Sequence, residues 1–188
     1  MADEKPITFS CAATLDFPPE RIADAILELG RWPEFLGYGV LPGIRAAEFE
    51  VRTPEVVGTR IRVANADGSS HVEQIVEWNP DRRVRLRMGE FSSPLSLLAT
   101  AFEETWDFER TGQATWVVRS FELHPRTRAA RPFLWLISIL LRRAIARHLR
   151  QMGEDAERRR EGWAEPSTPR SGPSARSAPV NRSTGESG

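Results

Sequence analysis

Lysine, cysteine and histidine are scarce in this 188-residue chain: Lys5 is the only lysine, Cys11 the only cysteine, and His71, His124 and His148 are the only histidines. A lone cysteine excludes an intrachain disulfide and any multi-cysteine metal site, and it suits a reducing compartment. With arginine supplying every basic side chain but one, there is no Gly-Lys-Ser/Thr phosphate loop, and a Schiff-base lysine is improbable. His-Glu-x-x-His, Gly-x-Ser-x-Gly and paired metal-ligand spacings are absent, so neither metal nor cofactor is expected, and Ser96 and Ser120 have no identifiable base. Net charge is lacking too. The 26 basic and 26 acidic residues balance, which leaves no global field for nucleic acid, and any basic patch has to be local. The start, "MADEKPITFS", lacks the basic and apolar regions of a signal peptide, so a cytoplasmic protein is expected.

What is present is a body and a tail. After Trp163 the composition turns to Pro, Ser, Gly and Arg with almost no large apolar residue. Residues 164–188 are therefore expected to be a disordered tail, and residues 1–163 a single domain. Within the body, "ITFSCAATLDF" alternates Ile7, Phe9, Cys11, Ala13 and Leu15 on one strand face. Pro18 and Pro19 open a helix with Ile22, Ile26 and Leu29 on one side, ended by Gly30, and "RWPEFLG" suggests a second short one. Strands follow in succession. "VGTRIRVANA" places Val57, Thr59, Ile61, Val63 and Asn65 inward. "SHVEQIVEWN" places Val72, Gln74, Val76 and Trp78 inward, and "RVRLRMG" places Val84, Leu86 and Met88 inward with arginines opposite. "FEETWDFE", the turn "RTGQ" and "ATWVVRSFEL" complete an antiparallel meander.

The final element is "FLWLISILLRRAIARHLRQM", Phe133 to Met152. Arg142 and Arg143 end its apolar run well short of the roughly 20 residues that a spanning helix needs. Beyond them the apolar residues continue on one side, so the spacing predicts a long helix that caps the concave face of a curved sheet.

This order of elements, together with "DFPPERIADAILELGRWPEF", "VEQIVEWNPDRRVRLRM" and "RRAIARHLRQM", resembles the bacterial polyketide cyclase/dehydrase-like group of the START-related, helix-grip (SRPBCC) superfamily over about residues 7–155. The resemblance implies an α+β helix-grip fold: about seven antiparallel strands around a long carboxy-terminal helix, with two short helices after the first strand. It also implies a cavity between sheet and helix, and no fixed catalytic motif.

The face assignment lines such a cavity with Phe9, Ile61, Val63, Asn65, Gln74, Val76, Trp78, Leu86, Met88, Phe102, Glu104, Trp106, Phe108 and Arg119. Ile137, Leu140, Leu141 and Ile145 close it from the helix. For any single apolar position, ordinary core packing is the favoured account. Asn65, Gln74, Glu104 and Arg119 are the polar exceptions; if Thr111-Gly112 forms the turn, Glu104 and Arg119 lie directly opposite each other. With His148 on the inner helix face they are the candidates for catalysis. "EFSSPLSLLATAF" reads either as a lid or as a short helix packed on the sheet edge.

Three readings stay open. The chain is a binder of a small hydrophobic molecule such as a lipid, quinone or polyketide, a cyclase or dehydratase acting on such a molecule, or a membrane-surface or partner-binding module using the arginines of the last helix. Oligomeric state is not legible.

Overall fold

The computed structural model describes the backbone of residues 5–164 and the side-chain surroundings of residues 5–155. The expected tail lies, apart from Ala164, outside the described residues.

The chain opens with strand β1 (Ile7–Leu15), followed by helix α1 (Pro19–Leu27) and a 3-10 helix at Leu29–Glu34. Pro18 and Pro19 start α1 where a missing N–H costs nothing, and Ile22, Ala23 and Ile26 form its buried side. Six strands then run in sequence: β2 (Ile44–Val51), β3 (Arg60–Asn65), β4 (Ser70–Asn79), β5 (Arg83–Gly89), β6 (Ala99–Thr111) and β7 (Ala114–Pro125). A single turn of helix, α2 (Leu95–Leu98), separates β5 from β6, and α3 (Arg131–Ala164) ends the described chain. The seven strands form one antiparallel sheet in the order β1-β7-β6-β5-β4-β3-β2. Curved sheet, two short helices after β1 and one long final helix make up the helix-grip α+β fold expected from the sequence.

The core lies between the concave sheet face and the helices. Ile61, Val63, Ile75, Val84, Leu86 and Phe121 are buried on the sheet side, and Leu134, Leu141, Ile145 and Leu149 on α3. Phe9 of β1 stacks on Phe121 of β7 at 4.9 Å between ring centres, closing the sheet-helix seam where α3 crosses β1 and β7.

Four sequence readings are corrected. In β4 the inward face starts one residue later than the alternation suggested: Glu73 and Ile75 are buried, while Val76 is 39% exposed. The cause is a bulge. Ile75 pairs with Leu86 but Glu77 pairs with Arg85, so Val76 is an extra residue that restores Trp78 to the inner side. Gln74 lies on the outer side, opposite Arg60 and Arg87. Secondly, the β6–β7 turn is Gly112-Gln113, since Thr111 pairs with Ala114; Gly112 takes φ +67, a conformation favourable only for glycine. The register moves by two residues, Arg119 faces Trp106 directly, and Glu104 becomes its diagonal neighbour on the same sheet face. Lastly, the start of α3 does not bury its whole apolar run: Phe133, Trp135 and Leu136 are 59%, 60% and 53% exposed. Val57 is likewise exposed, because it precedes β3 in a turn.

Candidate functional site

A cavity of about 120 Å³ lies under α1 and the 3-10 helix, walled by the sheet and by the middle of α3. Ile22, Ala25 and Ile26 of α1, Trp32 and Phe35 after it, and Ile44 of β2 form one apolar wall. Leu86, Trp106 and Met152 form the opposite one, and four buried or half-buried polar side chains, Glu73, Glu104, Arg119 and His148, converge between them. Arg31 and Glu34 also border the cavity, paired with each other at 3.1 Å.

Arg119 is the hub of the polar group. Its Nε donates to Glu104 Oε1 at 2.7 Å, and its Nη2 lies 2.5 Å from the same oxygen. Both side chains are over nine-tenths buried. The guanidinium lies 3.9 Å from the centre of the Trp106 ring, a cation–π contact that holds it in plane against the sheet. Its remaining arm, Nη1, lies 3.1 Å from His148 Nδ1. A guanidinium can only donate, so Nδ1 is the acceptor and the imidazole carries its proton on Nε2.

The electrostatics follow from burial. Desolvation pushes the Glu104 carboxyl above its ordinary range; the Arg119 charge opposes that push and the nearby Glu73 adds to it. The Trp106 indole N–H also favours the carboxylate, but without hydrogen-bond geometry, and its Nε1 is buried with no partner. His148 is driven down to about 3, first by burial and then by the charges of Arg119 and Arg31. It is therefore a neutral imidazole at physiological pH. With its lone pair engaged by Arg119 and so low a proton affinity, His148 is a poor general base and a ready N–H donor at Nε2. Glu73 is held from the other side by His71, whose Nε2 lies 3.1 Å from Oε1.

Of the positions expected to line the cavity, Leu86, Glu104, Trp106 and Arg119 do so, with His148 from the helix. Phe9, Ile61, Val63, Trp78, Met88, Phe102, Phe108, Ile137, Leu141 and Ile145 are packed among other side chains away from it. Leu140 is half-buried, against the loop at Gly39. Asn65 sits at the β3–β4 turn, donating to Ser69, and Gln74 and Val76 are on the outer side for the reason given above. The cavity is thus smaller than the whole concave face, because most of that face is filled by aromatic and branched side chains.

Two groups were missed by sequence reasoning. The wall from α1 to Ile44 reads in sequence merely as helix and loop. Glu73 was placed outside by unbroken alternation, although His71 and Glu73, two apart in a strand, share a face. The 91–98 segment contributes nothing to the cavity wall. It forms the single helical turn α2, with Leu95 and Leu98 packed on the core and Leu97 68% exposed.

For metal binding, Glu103, Glu122 and His124 bring ligand atoms within 4.8 Å of one another among the described residues. They lie on the outer sheet face, away from the cavity, and Arg85 and Arg87 already bond Glu103. No helix among the described residues is long and apolar enough to cross a membrane.

Residues 6–157 match the family model described as polyketide cyclase / dehydrase and lipid transport. The chain belongs to this family. No curated protein matches the sequence. Similar solved structures include the Zhui aromatase/cyclase of a Streptomyces species, at 13% identity and TM-score 0.64, covering 85% of this chain and 98% of that one. A Thermus thermophilus protein aligns at 20% identity and TM-score 0.60, over 81% and 99% of the two chains. A START superfamily protein from Mycobacterium smegmatis aligns at 10% identity and TM-score 0.54, over 77% and 98%. At these identities the family's polyketide cyclase / dehydrase-like chain shares the fold of its structural neighbours.

Proposed function

We propose that this chain binds a small, mainly apolar molecule bearing one polar group, of lipid, quinone or polyketide-like character. Its apolar part lies along Ile22, Ile26, Phe35 and Met152, and its polar group is directed to the Arg119 cluster. The observation that carries this reading is the buried Arg119–Glu104 pair, with His148 and Glu73 beside it, facing the apolar walls of the cavity. Such a pair is weak evidence for stability, since apolar residues of the same volume hold a core together as well or better. Titratable groups shifted by burial and gathered in a cleft mark a functional site.

Ligand clefts commonly enclose about 300–1,000 Å³, more than the cavity's 120 Å³. Binding therefore requires the cavity to widen. The sheet is hydrogen-bonded from edge to edge, so the yielding side is α1 with the 3-10 helix, which contributes short elements to the wall.

Binding is favoured over cyclase or dehydratase chemistry because His148 has its lone pair engaged and a depressed proton affinity, which leaves Glu104 as the one shifted acid in the group. Native mass spectrometry of freshly purified protein tests the reading. A retained apolar molecule, lost in Arg119→Met, is the expected result. An empty protein whose thermal stability is not raised by any fatty acid, quinone or aromatic polyketide would sink it.

A further inference from the structure

The exposed apolar side chains of this protein are unevenly distributed. Val51, Val57, Val76 and Trp116 are scattered, as on any soluble surface. Others gather where α3 meets the 36–43 loop. On α3, Phe133, Leu136, Leu140 and Arg143 follow one another at three- and four-residue steps and so form one stripe along the helix. Phe133 and Leu136 are more than half exposed, with Trp135 beside them at 60%. The loop lies against this stripe: Gly39 abuts the Leu140 side chain, and the Arg143 guanidinium lies 5.8 Å from the centre of the Tyr38 ring. Two of its own apolar residues point outward, Leu36 at 64% and Val40 at 88% exposed, while Leu41 packs on the core.

The charge on this face is of one sign, although the chain as a whole is balanced. Between residues 126 and 153 every charged side chain is an arginine, and between residues 35 and 47 the only charge is Arg45. Glu34, which borders the loop, is already bonded by Arg31. An apolar surface rimmed mainly by arginines fits an anionic lipid bilayer: the apolar tips enter the headgroup boundary and the guanidinium groups meet the phosphates.

We propose that the amino-terminal half of α3 and the 36–43 loop together form a docking surface for anionic membranes. Leu36, Val40, Phe133 and Leu136 are the inserting residues, and Arg143 and Arg147, the next step along the stripe, are the headgroup contacts. The loop's base is tied by Ile44 N–H donating to the Phe35 carbonyl at 2.9 Å, and both of those residues line the cavity. The surface that touches the bilayer is therefore continuous with the cavity wall. Docking stands independently of whether the cavity holds a ligand.

The test is co-sedimentation of the full chain with vesicles of pure phosphatidylcholine and with vesicles containing about 30 mol% phosphatidylserine, at low salt and near 0.5 M NaCl. Binding to the anionic vesicles that weakens with salt is expected. Leu36→Asp with Val40→Asp, and separately Arg143→Glu with Arg147→Glu, should each reduce partitioning about tenfold or more. All four positions are exposed, and circular dichroism checks that each variant is folded. Should a variant fail to fold, quenching of Trp135 by brominated lipid, read as the signal lost in Trp135→Phe, gives the same answer on otherwise unaltered protein. Absence of binding to anionic vesicles, or equal binding by wild type and both folded variants, overturns the proposal. So does a wild-type dimer that ignores vesicles and is made monomeric by Leu36→Asp with Val40→Asp, because the face then belongs to a second copy.

Discussion

Glu103 and Glu104 are adjacent on β6, each is matched by arginine, and the two pairs have little else in common. Glu103 points outward and bonds Arg85 and Arg87, both at 3.2 Å, where water reaches all three side chains. Glu104 points inward to Arg119, where almost none does. The outer pairs, with Arg83–Asp107 and the Glu50–Arg60 contact, keep the convex face soluble and set cross-strand partners, each contributing little free energy. In the inner pair each charge is tolerable only through the other. One residue of strand alternation separates a screened surface contact from a costly buried one, which is why the inner pair speaks of function and the outer ones do not.

Breaking the inner pair should have the largest effect. Arg119→Ala leaves the Glu104 carboxylate buried without a partner and should lower stability by about 3–5 kcal/mol in urea denaturation. Removing both charges together sharpens the comparison: Arg119→Met with Glu104→Leu should be neutral or stabilising by about 1–4 kcal/mol while abolishing retention of any apolar ligand. A double variant that loses as much stability as Arg119→Ala would assign the pair to folding instead.

The pH dependence comes next. His148 takes up a proton at about 3 in the fold, against about 6.5 unfolded. The unfolded chain therefore binds the proton first as pH falls, and stability is lost from about pH 6.5 downward toward 3, at up to about 1.4 kcal/mol per unit. Glu104 acts in the opposite sense, because its raised proton affinity favours the fold at low pH and that contribution is lost as pH rises. Comparing wild type with His148→Gln, whose amide oxygen can still accept from Arg119, isolates the imidazole: the variant should lose less stability between pH 6.5 and 4. Identical slopes would mean that His148 titrates normally. The smallest change is expected outside, where Glu103→Gln should shift stability by about 0–1 kcal/mol and less in high salt.

The strands of this pair show what the sequence could convey. In β6, Phe102, Glu104, Trp106 and Phe108 alternate without interruption, and all four are buried as their spacing suggested. In β4 the same reasoning put Gln74 and Val76 on the wrong side, because alternation carries no mark of a bulge; "QIVEW" looks as regular as its neighbours. The β6–β7 register was displaced by two residues, since "RTGQ" allows more than one two-residue turn and only the pairing of Thr111 with Ala114 distinguishes them. An even displacement preserves the face, so Glu104 and Arg119 still meet. The extent of the cavity was the least legible feature, for it depends on which side chains leave space unfilled, and Phe9, Phe121 and Leu141 fill most of it. Its far wall comes from Ile22, Trp32 and Phe35, on elements whose packing partners no local pattern names.

The extra residue at Val76 makes β4 a strand with two reading frames. In the first, odd-numbered residues point inward and deliver Glu73 and Ile75; in the second, even-numbered residues do, and deliver Trp78. A chain one residue shorter at this point has to surrender one frame, either turning Trp78 to solvent or lifting Glu73 out of the cavity wall. An ungapped alignment of β4 with a relative lacking the bulge would match inward residues to outward ones over half the strand. The acidic partner of the cavity would then be sought at the wrong position.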